Sequence, residues 1–338
     1  MNNKFSEILE VIKKSNRILI TGHISPDGDA IGSGLALLLA LNKLNNTLKN
    51  EAEEKDEIYL DKTLRFILDD NAPKNLKFLT HSLLIEEFEN YNSKYKFDLM
   101  ICLDSGNFDR IGRVNQLKTE ETKVINIDHH ISNDRFGDYN YVENISSTSE
   151  ILFNFIKEAD IELDHGMAEA LYTGIVNDTG NFKHSNTTKK VFQVASELMK
   201  YEIKPNEIVE NLFNTKSMEK IKLTGRVLSN FKFIDDHKLA YYYLSEAELA
   251  ELGANKDDAG GLVELLLSYE EASVSLFLRE DKGYIKGSFR SKHTVDVNAL
   301  ADIFGGGGHI KAAGFKTDKT SNEILDIVIK NMSSGGNI

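Results

Sequence analysis

In residues 17–41, RILITGHISPDGDAIGSGLALLLAL, one apolar run passes through a short polar turn into a second, longer one. The first run, RILI, is short and rich in isoleucine, the texture of a buried strand. The second is rich in alanine and leucine and reads as a helix. Strand, tight turn and helix in that order open a parallel α/β unit. The turn itself, GHISPDGDA, carries His23, Asp27 and Asp29 in the spacing H-x-x-x-D-x-D. Imidazole and carboxylates therefore gather where a buried strand ends.

The same arrangement recurs downstream. FDLMICLDSG (97–106) is an apolar run closed by Asp104, and KVINIDHH (123–130) is another, closed by Asp128, His129 and His130. STSEILFNFIKEADI reads as a helix, and GMAEALYTGIVNDTGNF carries a helix-like run into Asp178. SLLIEEFENY (82–91) reads as an acidic helix, and the polar NNTLKNEAEEKDEIYLDK (45–62) as a surface insertion or an extended helix end. The expected architecture is an α/β fold. Residues 1–190 form a doubly wound, mainly parallel sheet, 191–224 a helical linker, and 225–338 a smaller α+β domain. In the last segment FKFIDDHKLAYYYL, EASVSLFLRED and GYIKGSFRSK are β-rich, and VNALADIFGGGGHIKAAGF reads as helical.

In open parallel sheets ligands bind beyond the carboxyl ends of the strands, where strand order reverses. A lone aspartate after a strand is ordinarily a turn residue or a helix cap. Several carboxylates delivered to one sheet edge are different, because burying them bare costs several kcal/mol each. Divalent cations remove that cost. Carboxylate and imidazole without thiolate favour Mn²⁺, Mg²⁺ or Fe²⁺ over structural zinc. Asp27, Asp29, Asp104 and Asp178 would balance two divalent ions, and a pair about 3.5–4 Å apart suits phosphoester hydrolysis.

Composition narrows the partners. The chain has 338 residues, 40 Lys+Arg against 53 Asp+Glu, and a net charge of −13. Long nucleic acid held by a broad basic surface is excluded, since phosphate neutralisation supplies most of that affinity. A short anionic substrate in a cation-lined cleft is not. One cysteine, Cys102, excludes an internal disulfide framework and fits a reducing compartment. The amphipathic MNNKFSEILEVIKKSNR is unlike a signal peptide, and no apolar run reaches membrane length. A cytoplasmic protein without a membrane partner is expected. In the second domain Gly305–Gly308 permit close backbone approaches, and helix amides after them would face an anion. With His309, and with Arg290, whose fork suits phosphate, they form a candidate phosphate clamp. Asn298 either caps a helix or contacts substrate.

H-x-x-x-D-x-D at 23–29, LDSGNFDR at 103–110, IDHH at 127–130, GIVNDTGNF at 174–182 and the terminal GGGGH together resemble the DHH phosphoesterase family with its DHH-associated C-terminal domain. The match runs through nearly the whole chain in the right order. The compact length looks most like the NrnA-type nanoRNases, the bifunctional oligoribonuclease and pAp phosphatase proteins. The resemblance implies two divalent ions, Mn²⁺ first and Mg²⁺ or Co²⁺ as substitutes. His23, Asp27, Asp104 and Asp178 would hold one; Asp29, Asp104, His129 and Asp178 the other. It implies that His130 faces the substrate phosphate, that Asp128 supports it, and that Arg110 and Thr179 orient groups nearby. Gly306, Gly307, Gly308, His309, Arg290 and Asn298 would bind the nucleotide. The implied reaction is hydrolysis of short oligoribonucleotides to mononucleotides and removal of the 3′-phosphate of pAp; a homodimer is compatible with it. The 45–62 segment is longer than the family's usual connection. Rival readings are a phosphodiesterase for pApA or c-di-AMP, an inorganic pyrophosphatase, and a non-catalytic nucleotide-binding regulator.

Overall fold

The computed structural model describes residues 2–91, 96–293 and 295–334. The chain divides into two compact units, Met1–Thr215 and Lys216–Ile338.

The first unit opens with α1 (Phe5–Lys14), whose buried Phe5, Ile8 and Ile12 form one apolar stripe. β1 (Arg17–Thr21) then leads into α2 (Gly28–Glu54). Five further strands follow: β2 (Thr63–Leu68), β3 (Ile85–Glu87), β4 (Leu99–Leu103), β5 (Lys123–Asp128) and β6 (Tyr139–Val142). Their order is β3-β2-β1-β4-β5-β6, and every pairing is parallel. Helices cover the sheet, so β4 is buried along its whole length and its sequence is continuously apolar. Strand order reverses between β1 and β4, which fixes the crevice where ligands bind.

Four helices complete the unit: α3 (Thr148–Glu158), α4 (His165–Asp178), α5 (Lys189–Leu198) and α6 (Pro205–Val209). Val191, Val194, Leu198, Ile203 and Ile208 belong to the same core as β1 and α2. Much of the stretch read as a linker thus packs as part of the first unit. α2 runs for 27 residues, and its far end accounts for the first half of the 45–62 segment. The rest returns to the body of the unit: Asn45 Oδ1 accepts from the Tyr59 hydroxyl at 2.9 Å and from the Lys62 amide at 3.0 Å.

One local expectation is corrected here. SLLIEEFENY is no helix: Ser82–Leu84 and Phe88–Asn90 are single 3₁₀ turns flanking β3. Pairing of Ile85, Glu86 and Glu87 with Phe66, Ile67 and Leu68 satisfies the backbone at the sheet edge and overrides weak helix propensity. The run ending at Asp178 is a helix throughout, as its texture predicted, so the fourth contribution to the crevice comes from α4.

The second unit starts with α7 (Met218–Asn230), followed by β7 (Lys232–Ile234), β8 (Leu239–Leu244), α8 (Glu246–Glu251) and α9 (Leu262–Leu267). β9 (Val274–Asp281), β10 (Tyr284–Ser291), α10 (Val297–Asp302), β11 (Gly307–His309), β12 (Ala312–Thr317) and α11 (Ser321–Ser334) complete it. The sheet order is β11-β12-β10-β9-β8-β7, antiparallel except for β8 with β9. This is the α+β texture expected. The glycine run does not open a helix, however. It enters the β11–β12 hairpin, and Ala313 and Phe315 alternate into the core against β10. Period-two burial in so short a segment is masked in the sequence by its glycines. Among the described residues no helix is long and apolar enough to cross a membrane.

Candidate metal centre

β1 ends at the turn carrying His23. The ring Nδ1 lies 2.8 Å from the carbonyl of Ile24. A carbonyl only accepts, so Nδ1 carries the proton and Nε2 is presented to the crevice. Nε2 stands 3.5 Å from Asp104 Oδ2 and 3.8 Å from Asp27 Oδ1. Asp27 is the N-cap of α2: Oδ1 accepts from the amides of Asp29 and Ala30 at 2.9 and 3.2 Å. The turn role and the site role coincide, since the same Oδ1 caps the helix and lies nearest His23.

Asp29, in the first turn of α2, is fully buried. Its Oδ2 accepts from the Thr148 amide at 2.6 Å and its Oδ1 from the Ser149 amide at 2.9 Å. These are first-turn amides of α3, so the positive end of that helix holds a buried anion. Ser147 caps α3, accepting from the Glu150 amide at 3.1 Å.

Asp104 follows β4 in a left-handed conformation, φ 52, rare outside glycine. Its two oxygens divide the crevice. Oδ2 faces His23, while Oδ1 lies 3.4 Å from His129 Nε2 and accepts from Thr148 Oγ1 at 3.2 Å. His129 Nε2 is also 3.0 Å from Asp178 Oδ2, and its Nδ1 lies 3.3 Å from the Ile145 carbonyl. The His130 Nδ1 is 2.7 Å from Asp128 Oδ1 and 3.6 Å from Asp104 Oδ1.

Asp178 arrives by helix packing. α2 and α4 run antiparallel, and their contact is made by glycine. A Cβ on Gly28 would lie 2.7 Å from Asn177 Cβ, and one on Gly32 would lie 3.0 Å from the Gly174 amide nitrogen and inside the Ala170 carbonyl oxygen. Only bare backbone lets the two axes approach this closely. The start of α2, with Asp27 and Asp29, thereby meets the end of α4.

Two groups of potential ligands result, His23/Asp27/Asp104 and Asp29/His129/Asp178, each with its ligand atoms within 4.8 Å of one another. Asp104 also closes a third group with Asp128, His129 and His130. The electrostatics fit cations. Burial, together with Asp178 and Asp104, pushes the Asp29 carboxyl well above its ordinary value. Burial likewise raises Asp178, with Asp104 and Asp27 adding to it. Burial alone would lower His23 and His129, but the neighbouring carboxylates of Asp104 and Asp27, and of Asp104 and Asp178, raise them to about 10 and about 12. Burial would raise Asp104, yet His129 and His23 hold it far below the carboxylate range. The cluster balances its charge with protons in the places divalent ions would take. The donor set is hard carboxylate and imidazole. Cys102 is buried in β4, its thiol pushed up by that burial.

A cavity of about 440 Å³ opens on the cluster, bordered by Asn107, Arg110, Ser132 and Asn186. A larger one, about 520 Å³, lies at the amino ends of the strands among Glu7, Lys14, Asp98 and Lys123, without an imidazole. Only the first has chemistry converging on it.

Thr179 donates to the Ile175 carbonyl at 2.6 Å and accepts from the Phe182 amide at 3.2 Å, just beyond the end of α4. In the second unit Arg290 donates to Glu264 at 2.8 Å. Strand register puts Arg290 opposite Ala312 and Ala312 opposite His309, so both candidates share one face of the sheet. Asn298 does not cap α10; Asp296 does, accepting from the Asn298 amide at 2.9 Å. The Asn298 side chain stands beside Gly307, whose Cβ would be 3.8 Å from Oδ1. Gly306 and Gly308 press on β12, where Cβ atoms would meet Phe315 and Ala313 at 2.5 and 2.7 Å, so packing demands glycine there.

Sequence reading missed the Thr148 and Ser149 amides, Asn133 and Asn186. For the amides a signal existed, the Ser147-x-x-Glu150 start of α3. Asn186 donates to the carbonyls of Ser146 and Asp178 at 3.0 and 3.2 Å, tying the ends of α3 and α4 together.

A parallel sheet with acids and imidazoles collected at its strand-order reversal belongs to the class of hydrolases suited to divalent cations. The profile of the DHH family N-terminal domain matches residues 17–175, and that of the DHHA1 domain matches residues 236–334. The bifunctional oligoribonuclease and PAP phosphatase NrnA of Thermus thermophilus is 33% identical over 98% of this chain and 96% of its own length. The Bacillus subtilis protein of the same name is 31% identical over 95% and 97%. Among solved structures, an exopolyphosphatase-related protein from Bacteroides fragilis superposes with TM-score 0.85 at 30% identity, covering 98% of this chain and 95% of that one. A manganese-bound exonuclease RecJ shares the fold, TM-score 0.56 at 11% identity, over 100% and 96%. The chain belongs to the DHH family of phosphoesterases.

Proposed function

We propose that this chain is a manganese-supported hydrolase that cuts short oligoribonucleotides to mononucleotides and removes the 3′-phosphate of pAp. The observation that carries the reading is the convergence of His23, Asp27, Asp29, Asp104, His129 and Asp178 on one buried cluster with cation-shaped charge balance. The names of the full-length relatives support the substrate class. His23, Asp27 and Asp104 would hold one ion, Asp29, His129 and Asp178 the other, with Asp104 reaching both. Bound divalent ions supply Lewis acidity toward phosphoryl oxygens and lower the pKa of water.

The chain's own residues do the rest. His130, on the cavity wall with Nδ1 held by Asp128, offers Nε2 to a phosphoryl oxygen or to the departing hydroxyl. Arg110 adds positive charge at the rim. Arg290, Asn298, Gly306, Gly307, Gly308 and His309 bind the nucleotide. An overall charge of −13 gives long polyanions no extended surface to follow and favours short substrates in the cytoplasm.

The test is turnover of di- to pentaribonucleotides, pAp, pApA and c-di-AMP by the purified chain with Mn²⁺, Mg²⁺ or Co²⁺. Mononucleotide release from the short RNAs and phosphate release from pAp, fastest with Mn²⁺, is expected. Preference for c-di-AMP, or tight nucleotide binding without hydrolysis, overturns the assignment.

A further inference from the structure

Asn133 lies in the turn after β5 and joins the ends of two strands. Its Nδ2 donates to Asp128 Oδ2 at 2.6 Å and to the carbonyl of Ser105, the residue after Asp104, at 3.0 Å. Its Oδ1 accepts from Asn126 Nδ2 at 2.9 Å and from the Arg135 amide at 2.7 Å. With every strong hydrogen-bonding position taken, the amide has one orientation: nitrogen toward Asp128.

Asp128 is fully buried and depends on these neighbours for its partners. Oδ2 takes the Asn133 donor. Oδ1 takes the His129 amide at 2.8 Å and His130 Nδ1 at 2.7 Å. A carboxylate oxygen at that distance requires a proton on Nδ1, so Nε2 is the ring nitrogen left for the cavity that His130 lines.

We infer that Asn133 is a positioning residue for His130: by fixing Asp128 from behind it sets the Nδ1–H form and the rotation of the ring that faces the substrate. This rests on the role given to His130 above. Without the Asn133 donor, Asp128 Oδ2 is buried and unpaired, and the carboxylate must turn to find another partner. His130 then loses its fixed acceptor. Removal of such outer hydrogen bonds ordinarily costs about 10–100-fold in activity or metal affinity.

Two variants separate positioning from simple support of the turn. Asn133→Asp keeps the shape and the acceptor used by Asn126 and Arg135 but replaces the donor to Asp128 by an oxygen. Asn133→Leu removes every polar contact. The spectroscopic readout is the ring ¹⁵N pattern of His130, assigned by its disappearance in His130→Gln. Expected are a protonated Nδ1 in the parent enzyme and loss of that fixed pattern in both variants. kcat should fall about 10–100-fold with KM and bound Mn²⁺ unchanged. A parent His130 without a proton on Nδ1 overturns the inference, even if neither variant folds. So does Asn133→Asp with full kcat and an unchanged pattern. Should the chain hydrolyse no phosphoester at all, the proposed function fails alone, because the ¹⁵N pattern still decides whether Asn133 holds His130.

Discussion

Replacing Gly32 by alanine puts a methyl group where α2 and α4 leave room for none. The new Cβ would press on the carbonyl oxygen of Ala170 and lie 3.0 Å from the amide nitrogen of Gly174. Both opposing atoms are backbone, so no side chain can rotate aside. α2 is buried around this point, from Gly28 to Leu38, and cannot recede. α4 must therefore move by about 1 Å to recover ordinary carbon–oxygen separation. Overpacking of this kind costs about 1–3 kcal/mol, and alanine returns about 1 kcal/mol of helix propensity. The net destabilisation is about 0–2 kcal/mol, a fall in Tm of about 0–8 °C for a unit of this size. Activity should suffer far more. α4 carries Asp178 at its end, and Gly174 abuts Asp29, whose Oδ1 is 2.6 Å from the Cβ position. A misplacement of about 1 Å near reacting groups costs about 10²-fold. The assay pairs thermal unfolding with steady-state turnover, using Gly225→Ala as the control, since nothing lies within 4 Å of that Cβ position. The control should be neutral or slightly stabilising. A Gly32→Ala enzyme with turnover within twofold of the parent would refute the claim that the glycine crossing places Asp178.

Asp104→Asn should keep the fold, because asparagine tolerates the left-handed backbone at φ 52 and can still accept from Thr148. It removes the charge facing both imidazoles, so turnover should drop by at least about 10²–10³-fold; parent-like kcat would take Asp104 out of the site. In the metal-free protein His23 and His129 are raised to about 10 and about 12, so at neutral pH an incoming ion must displace protons. Apparent affinity should therefore tighten from pH 6 to pH 8. Calorimetry in buffers of different ionisation enthalpy should show proton release, and a buffer-independent heat contradicts it. The buried Cys102 thiol, raised by desolvation, should resist thiol reagents at pH 8 in the native protein and react on unfolding. Rapid native labelling would show that β4 opens.

Much of the centre was legible because strand ends announce themselves. Apolar runs stopping at His23, Asp104 and His129 could only be buried parallel strands, and the polar residues after them had to share one edge. Asp178 was legible too, at the end of a run that already read as helix-like. SLLIEEFENY misled because three edge-strand residues carry less local signal than the surrounding acidic helix formers. The glycine run misled for a related reason: Ala313 and Phe315 face the core only because β10 lies beside them.

From composition and order alone came the class of chemistry. Carboxylates and imidazoles without a second thiol, at successive strand ends in an acidic chain, call for hard cations and a short anionic substrate. The tertiary structure decided how those groups meet. It aimed the first-turn amides of α3 at Asp29, tied Asn133 to Asp128, and let Gly28 and Gly32 bring α4 close enough to deliver Asp178. Backbone donors and interhelical distances have no letter of their own in a sequence; they exist only once distant segments are packed against each other.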